Sequence, residues 1–285
     1  METSSVSSIL KEALDSALLE LEKLLTADVL VFTGPIHEGP ENQFLSIVEQ
    51  LAVEKKHETL IVVLTTNGGS ATVVERYVNI IRHNYKRVIF IVPDYAYSAG
   101  TIFCMSGDEI WMDYFSVLGP IDPQVPNKDG KYVPALGYLD KIAELISKAQ
   151  ANTLTQAEFL ILKDFDLAEL KGYEQARELT ITLLKEWLVK YKFKSWTKHK
   201  DQSDVTDAEK TEKAEHIAKE LGDYTKWKTH GRPINLQVLE SLGLKINDYS
   251  HNSPQREIIR KYYKLMMEYV SINKFPLFVH TRHFL

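Results

Sequence analysis

The sequence predicts an α/β fold built on a parallel sheet, and two observations support this. Between residues 26 and 125, short apolar runs alternate with amphipathic segments in units of about 30 residues, which is typical of parallel strand–helix–strand crossovers. The clearest unit joins the apolar strand Thr59–Thr65 to the helix Ala71–Asn84 through a glycine-containing turn. From Pro134 to Met267 the pattern becomes almost entirely helical, so we expect helices to follow the sheet.

The remaining elements follow from the same patterns. Ser8–Leu25 places apolar and charged side chains at helical spacing, and the apolar run Asp28–Phe32 ends at a Gly-Pro turn, as a buried strand does. Val88–Val92 is another apolar strand, ended by a proline. The other predicted elements are the strand Glu109–Asp113 and the helices Glu41–Lys55, Ser98–Ser106, Pro134–Ala151, Thr155–Asp164, Gly172–Tyr191, Asp204–Leu221 and Pro254–Tyr269.

The change in pattern divides the chain into two parts. Residues 1–150 are predicted to form the core, with the sheet and its N-terminal helix, and residues 151–285 a helical extension that packs on this core. Ligands of such sheets bind beyond the carboxyl ends of the strands. The turns that follow Thr65 and Val92 are therefore the expected location of a site.

Composition places the chain among ordinary globular proteins. It has 285 residues, 44% hydrophobic and 26% charged, with 34 basic and 39 acidic side chains and a formal net charge of −5. These values exclude a disordered chain and a disulfide-rich secreted mini-protein. The mild acidity argues against a nucleic-acid partner, because proteins that coat nucleic acid need an excess of basic charge.

Cysteine content and hydropathy exclude further classes. The single cysteine is Cys104, so neither an internal disulfide nor a cysteine-based zinc site is expected. The N-terminus lacks the basic start and apolar run of a signal peptide, and no apolar run approaches the roughly 18 residues that span a bilayer. We therefore expect a cytoplasmic protein without membrane insertion.

Ser98 lies in the sequence Ala-Tyr-Ser-Ala-Gly, between an apolar strand and a helix. A serine on such a tight turn is held out of the sheet beside a helix N-terminus, as in the Gly-x-Ser-x-Gly nucleophile elbow. Ala96 replaces the first glycine of that pattern. Taken alone, the motif therefore favours an ordinary serine that caps a helix.

Gly68 and Gly69 occupy the corresponding turn after the preceding strand. A glycine pair there leaves backbone N–H groups sterically open, and such groups can stabilise a developing oxyanion. They can also bind phosphate or simply form a turn. The phosphate interpretation is weak, because neither glycine-rich phosphate-binding motif is present.

Four motifs in this order carry a family resemblance. Thr66–Ser70 (Thr-Asn-Gly-Gly-Ser) and Tyr97–Thr101 (Tyr-Ser-Ala-Gly-Thr), each between a strand and a helix, resemble the Clp protease and signal-peptide-peptidase superfamily, which has the crotonase-like fold. Leu118–Gln124 (Leu-Gly-Pro-Ile-Asp-Pro-Gln) and Trp227–Ile234 (Trp-Lys-Thr-His-Gly-Arg-Pro-Ile) resemble the serine dehydrogenase proteinase family within it. The similarity spans roughly residues 26–245.

The resemblance implies a serine peptidase with a crotonase-like, Clp protease-like fold. Ser98 would be the nucleophile, and the backbone amides of Gly69 and Ala99 would hold the oxyanion. Asp122 and His230 fit the Ser, Asp, His order that describes the family. The resemblance also implies a peptide or protein substrate, a homo-oligomer such as a trimer or hexamer, and no metal or organic cofactor.

The identity of the base is left open between two residues. Clp proteases carry a histidine soon after the serine, where this chain has Asp122 instead. Signal peptide peptidases use a lysine, and Lys141 lies in the corresponding range on a predicted helix, followed by Lys148. A buried lysine can act as a base because desolvation lowers its pKa. The base is therefore His230 or, alternatively, Lys141.

Two other classes of function also stay open. A crotonase-type acyl-CoA hydratase, isomerase or thioesterase would use the oxyanion site at Gly69 without a nucleophilic serine. A degenerate, non-catalytic peptidase-like protein would use its helical half to bind a partner.

Overall fold

The computed structural model describes residues 5–127, 129–199 and 201–285. The strands in these ranges are β1 (Asp28–Thr33), β2 (Thr59–Thr65), β3 (Arg87–Val92), β4 (Tyr95–Ala96), β5 (Glu109–Met112), β6 (Val117–Leu118), β7 (Gln124–Pro126), β8 (Tyr132–Pro134), β9 (Ile234–Asn235), β10 (Asn247–Asp248) and β11 (Phe278–His280). The helices are α1 (Ser5–Leu25), α2 (Glu41–Val53), α3 (Ala71–Asn84), α4 (Ala99–Met105), α5 (Ala135–Gln150), α6 (Gln156–Lys163), α7 (Leu167–Trp187), α8 (Asp207–Gly222), α9 (Tyr224–Trp227), α10 (Leu236–Ser241) and α11 (Ser253–Asn273). A π-helical turn, Leu188–Lys192, continues α7.

The main sheet has the strand order β10-β5-β3-β2-β1-β11. Its strands run parallel except β11, which pairs antiparallel with β1 at one edge. A small sheet, β4-β6-β9, continues beyond the carboxyl ends of the central strands, and β7 and β8 form a hairpin. The predicted α/β fold with a parallel-sheet core is confirmed.

Helices cover both faces of the main sheet. On β1, Leu30 and Phe32 pack in the core that includes residues of α2, α3, α4, α7 and α8. Val29 and Val31 alternate with them and pack against α1 and α11. Because both faces of the central strands are buried, these strands read as continuous apolar runs rather than as alternating ones.

The C-terminal half contributes to the sheet as well as to the helical layers. The bounds predicted for β2 and α3 agree with the structure, whereas β10 and β11 lie in a region predicted to be helical or left unassigned. Strands of two or three residues are too short for apolar alternation to be recognised. The division of the chain at residue 150 stays a prediction, and the main sheet takes strands from both sides of it.

Several features bear on which chemistries the fold can support. Cys104 is fully buried in α4, and burial raises the pKa of its thiol, so it is a poor nucleophile. Across the described ranges, no three His, Cys, Asp or Glu side chains cluster in a way that could hold a metal ion. Within the same ranges, no helix has both the length and the apolar character needed to cross a bilayer.

Buried polar contacts hold β11 against the rest of the fold. His280 is fully buried, with Nδ1 2.6 Å from the Tyr262 hydroxyl and Nε2 3.1 Å from Asp15 Oδ1. These contacts suit a neutral imidazole whose Nε2–H donates to Asp15 while Nδ1 accepts from Tyr262. Burial lowers the pKa of His280 to about 4, and the hydrogen bond and charge of Asp15 only partly oppose this effect.

We expect His280 to make the protein less stable in acid. The folded state holds this pKa below the value of about 6.5 in the unfolded chain, so its stabilisation is complete above about pH 6.5 and is lost as the pH falls towards about 4. Between about pH 7.5 and about pH 5 this corresponds to about 2 kcal/mol of unfolding free energy. Urea unfolding at the two pH values measures it. The His280→Gln variant, which cannot titrate, should lose less stability over this interval; an equal loss would assign the effect to other groups.

Candidate active site

Ser98 lies where β4 turns into α4. Its backbone has φ 52° and ψ −117°, a combination that residues other than glycine rarely adopt. Hydrogen bonds from Tyr97 N–H to Thr66 O (2.9 Å) and from Gly100 N–H to Tyr97 O (2.8 Å) fix the turn. The Ser98 side chain makes no capping hydrogen bond to α4, so the geometry resembles a nucleophile elbow more than a helix cap.

Gly68 and Gly69 form the neighbouring turn, between β2 and α3. Both have positive φ, 99° and 143°, and a Cβ atom at Gly69 would lie 1.9 Å from the carbonyl oxygen of Ile36. The backbone of Ile36 runs alongside the turn, donating to Gly68 O (2.9 Å) and accepting from Ser70 N–H (2.8 Å). Only glycine fits position 69, because a side chain would push these two backbone segments apart.

Two backbone amides beside Ser98 are left free by this arrangement. Within the described part of the chain, the N–H groups of Gly69 and Ala99 have no hydrogen-bond acceptor. Ala99 is the first residue of α4, where an amide has no partner inside the helix. Both residues line the same cleft as Ser98, so the two amides are available to an oxygen atom bound there.

Asp122 and His230 are brought together by the small sheet. β6 and β9 pair antiparallel, with Leu118 opposite Ile234. Asp122 follows β6 by four residues and His230 precedes β9 by four, so this pairing brings together two residues that lie 108 apart in sequence. His230 Nδ1 is 2.8 Å from Asp122 Oδ1, so the pairing of two-residue strands positions the acid and the imidazole as one unit.

The surroundings of the pair determine which imidazole nitrogen carries the proton. Asp122 is 1% exposed and His230 is 25% exposed, so the carboxylate is shielded while the ring reaches solvent. A carboxylate can only accept hydrogen bonds, and therefore Nδ1 of a neutral His230 must carry the proton. Nε2 is then the basic nitrogen.

Four of the site residues predicted from the sequence line one cleft of about 870 Å³. Ser98, Gly69, Ala99 and His230 all line it, with Ile121 and Pro123 beside the buried Asp122. Further walls come from α7 and from the β7–β8 hairpin, which sequence reasoning did not assign to the site. These walls are Gln124, Tyr132, Ala176, Leu179 and Thr180.

Lys141 lies outside this group. It is on α5 with its side chain 51% exposed, and its Nζ is 2.9 and 3.0 Å from the two carboxylate oxygens of Glu144. Lys148, on the same helix, is 2.6 Å from Glu158, and this hydrogen bond raises its pKa. A raised pKa keeps Lys148 in the protonated state, which is the wrong state for a base, and Lys141 does not line the cleft.

Among the described residues, the lysine whose pKa burial lowers, to about 8, is Lys192 in the π-helical turn. Its charged neighbours include Glu109, at the start of β5. Glu109 marks the amino end of the strands, whereas Ser98 lies beyond their carboxyl end. The length of α4 therefore separates Lys192 from Ser98.

His37 is a second histidine of the cleft. It is exposed, and its Nδ1 is 2.8 Å from the carbonyl oxygen of Glu38. No carboxylate holds its ring among the described residues, in contrast to His230. The position of Ile36 against Gly69 explains why His37 reaches the cleft, and a sequence pattern carries no signal of that pairing.

Comparison with known protein families identifies the family of this chain. The sequence model of the family described as ClpP-like SDH-type serine proteinase matches residues 46–208, more than half of the chain. The chain belongs to this family. Ser98 and Asp122 lie inside the matched range, and His230 lies beyond it. The predicted family and its Clp protease-like fold are confirmed.

The chain is also similar to two curated proteins and to two solved structures. Two uncharacterized proteins of Methanocaldococcus jannaschii, MJ1495 and MJ0137, are 31% and 27% identical over 73% and 70% of this chain. The chain spans 56% and 58% of their lengths. A solved structure titled as a membrane-bound stomatin-specific protease with a substrate peptide is 27% identical, with a TM-score of 0.33, over 43% of this chain and 58% of that one. A second structure of that protease is 24% identical, with the same TM-score of 0.33. The match covers 53% of this chain and 83% of that one.

Proposed function

We propose that this chain is a serine peptidase that hydrolyses peptide bonds through an acyl-enzyme on Ser98. One observation carries the proposal: a serine on a strained strand-to-helix turn lines the same cleft as a hydrogen-bonded Asp122–His230 pair. Membership of the ClpP-like proteinase family supports it independently. The substrate class is therefore a peptide or protein.

The first chemical step follows from the proton positions. His230 Nε2, left basic because Nδ1–H is donated to Asp122, takes the proton from the Ser98 hydroxyl as Oγ attacks the substrate carbonyl carbon. The carbonyl oxygen becomes an oxyanion between the amides of Gly69 and Ala99, whose N–H groups have no other acceptor in the described chain. The buried Asp122 carboxylate stabilises the imidazolium that forms.

The second step restores the enzyme. The imidazolium gives its proton to the leaving amine, and the peptide bond breaks to leave an ester on Ser98. Water then loses a proton to His230 Nε2 and attacks the ester carbonyl, and the same two amides hold the second oxyanion. When this intermediate collapses, the ester bond to Ser98 Oγ breaks, the imidazolium returns its proton to Oγ, and the carboxylic acid product leaves.

His230 is favoured over Lys141 as the base. His230 lines the cleft and is hydrogen-bonded to a buried carboxylate, whereas Lys141 is exposed on α5 and paired with Glu144. A serine–lysine mechanism needs a desolvated, neutral lysine beside the serine. Among the described residues, the lysine with a lowered pKa, Lys192, lies towards the other end of the sheet.

A fluorophosphonate probe tests the proposal, because it phosphonylates serines that an enzyme has activated. We expect the folded protein to form one covalent adduct, mapped by mass spectrometry to Ser98, and the urea-unfolded protein to form none. A folded sample without an adduct, or with the adduct on another residue, would overturn the proposal.

The same preparation separates the alternative enzyme class. A crotonase-type hydratase or thioesterase would use the Gly69 amide for a thioester oxygen and would not need the Ser98 hydroxyl. Acyl-CoA turnover that survives in Ser98→Ala would favour that class, and a protein without adduct or turnover would favour a binding protein. A cytoplasmic location and a homo-oligomer, such as a trimer or hexamer, are further proposals by family analogy, and sedimentation analysis measures the second.

A further inference from the structure

We propose that Gln124 is a positioning residue that holds the Asp122 carboxylate in the orientation His230 needs. The inference rests on the proposed peptidase function and adds a fourth side chain to it. Gln124 Nε2 donates to Asp122 Oδ2 at 2.6 Å, while the other carboxylate oxygen accepts from His230 Nδ1 at 2.8 Å. Each oxygen of the buried carboxylate therefore has its own donor.

The two donors satisfy both oxygens of a carboxylate that solvent does not reach. Asp122 is 1% exposed, and no lysine or arginine of the described residues forms an ion pair with it. A buried carboxylate without a cation stays ionised only when hydrogen bonds satisfy its oxygen atoms. Since the carboxylate is acceptor-only, the amide of Gln124 must present its NH₂ group to it.

The backbone between Asp122 and Gln124 sets the relative position of their side chains. Pro123 restricts its own φ and keeps Asp122 in an extended conformation. Residues two apart in an extended segment project to the same side, so Gln124 reaches back to Asp122. Gln124 opens β7, where it lies opposite Pro134 of β8, and Pro123 O accepts from Ala135 N–H at 2.9 Å. The β7–β8 hairpin thereby holds the backbone that carries the Gln124 side-chain amide.

Two substitutions distinguish positioning from general support of the fold. Gln124→Leu removes the donor but keeps a side chain of similar size, which leaves Oδ2 buried without a partner. Gln124→Glu places a second carboxyl against Asp122, and two carboxyls at this distance share one proton. While the pair of carboxyls holds that proton, the introduced carboxyl donates a hydrogen bond to Asp122, as the Gln124 amide did. Once the proton leaves, the two carboxylates repel each other.

The test is the second-order rate of fluorophosphonate addition to Ser98, measured as a function of pH. We expect Gln124→Leu to react about 10- to 100-fold more slowly than the wild type, the loss that corresponds to one hydrogen bond to a charged group. We expect Gln124→Glu to react at close to the wild-type rate at lower pH and to show a falling limb at higher pH that the wild type lacks. Gln156→Leu, at an exposed glutamine that opens α6, is the matched control and should react as the wild type does.

The outcomes separate the two proposals. A wild type that forms no adduct on Ser98 overturns the peptidase proposal, and this inference with it. A wild type that reacts, together with a Gln124→Leu variant of equal rate and a Gln124→Glu variant of unchanged pH profile, overturns the role of Gln124 alone. If Gln124→Leu does not fold, as judged by thermal unfolding, the pH profile of Gln124→Glu decides.

Discussion

The Ser98→Ala variant should lose peptidase activity by a factor of about 10⁴ to 10⁶, because removing the nucleophile of a serine hydrolase removes the acyl-enzyme route entirely. The two oxyanion amides stay in place in this variant, since they belong to the backbone of Gly69 and Ala99. Binding of a substrate peptide should therefore survive while turnover is lost. The measurements are the initial rate of cleavage of a peptide and its equilibrium binding to the variant.

Ser70→Ala is the matched control for this experiment. Ser70 lies in the same cleft and also precedes a helix, but its hydroxyl caps α3 by accepting from Val73 N–H at 3.4 Å. Its loss should lower the stability by about 1 kcal/mol and leave the rate within a few-fold of the wild type. A Ser98→Ala variant as active as Ser70→Ala would contradict the assignment of Ser98 as the nucleophile.

The Asp122→Asn variant is expected to have the second-largest effect, a fall in kcat of about 10⁴-fold. An amide at this position can donate to Nδ1, which favours the imidazole tautomer with its proton on Nε2, and that tautomer cannot accept the proton of Ser98. His230→Ala should produce a loss of similar size, since it removes the base itself. Neither variant should change the circular dichroism spectrum.

Two controls assign the base. His37→Ala removes the other histidine of the cleft, which no described carboxylate orients, and Lys141→Ala removes the alternative base on α5. Both variants should keep kcat within a few-fold of the wild type. A Lys141→Ala variant that is inactive beside a fully active His230→Ala variant would exclude the Ser–Asp–His mechanism in favour of a serine–lysine dyad.

The part of the site built by local structure was accessible from the sequence. Ser98 and Gly69 each follow a buried apolar strand and precede a helix, and parallel neighbouring strands end at one edge of a sheet, so their proximity follows from the α/β pattern. The strain at Ser98 and the free amide of Ala99 are consequences of the same tight turn.

The part built by long-range pairing was not accessible in this way. Asp122 and His230 were identified by resemblance, but their contact depends on the register of β6 with β9, two-residue strands that leave no periodic signal. The same limitation hid Gln124 and His37, whose positions depend on a hairpin and on an isolated bridge between Ile36 and Gly69. Lys141 lies at the distance after Ser98 at which signal peptide peptidases carry their lysine. Helical periodicity alone, however, did not show which face of α5 carries it.

The pairing of β6 with β9 has a consequence for when the proposed site can form during synthesis of the chain. The ribosome produces Ser98 and Asp122 more than a hundred residues before the last residue of β9. A nascent chain that ends short of His230 carries the proposed nucleophile without the proposed base. The proposed site can therefore assemble only after β9 has been made and has paired with β6.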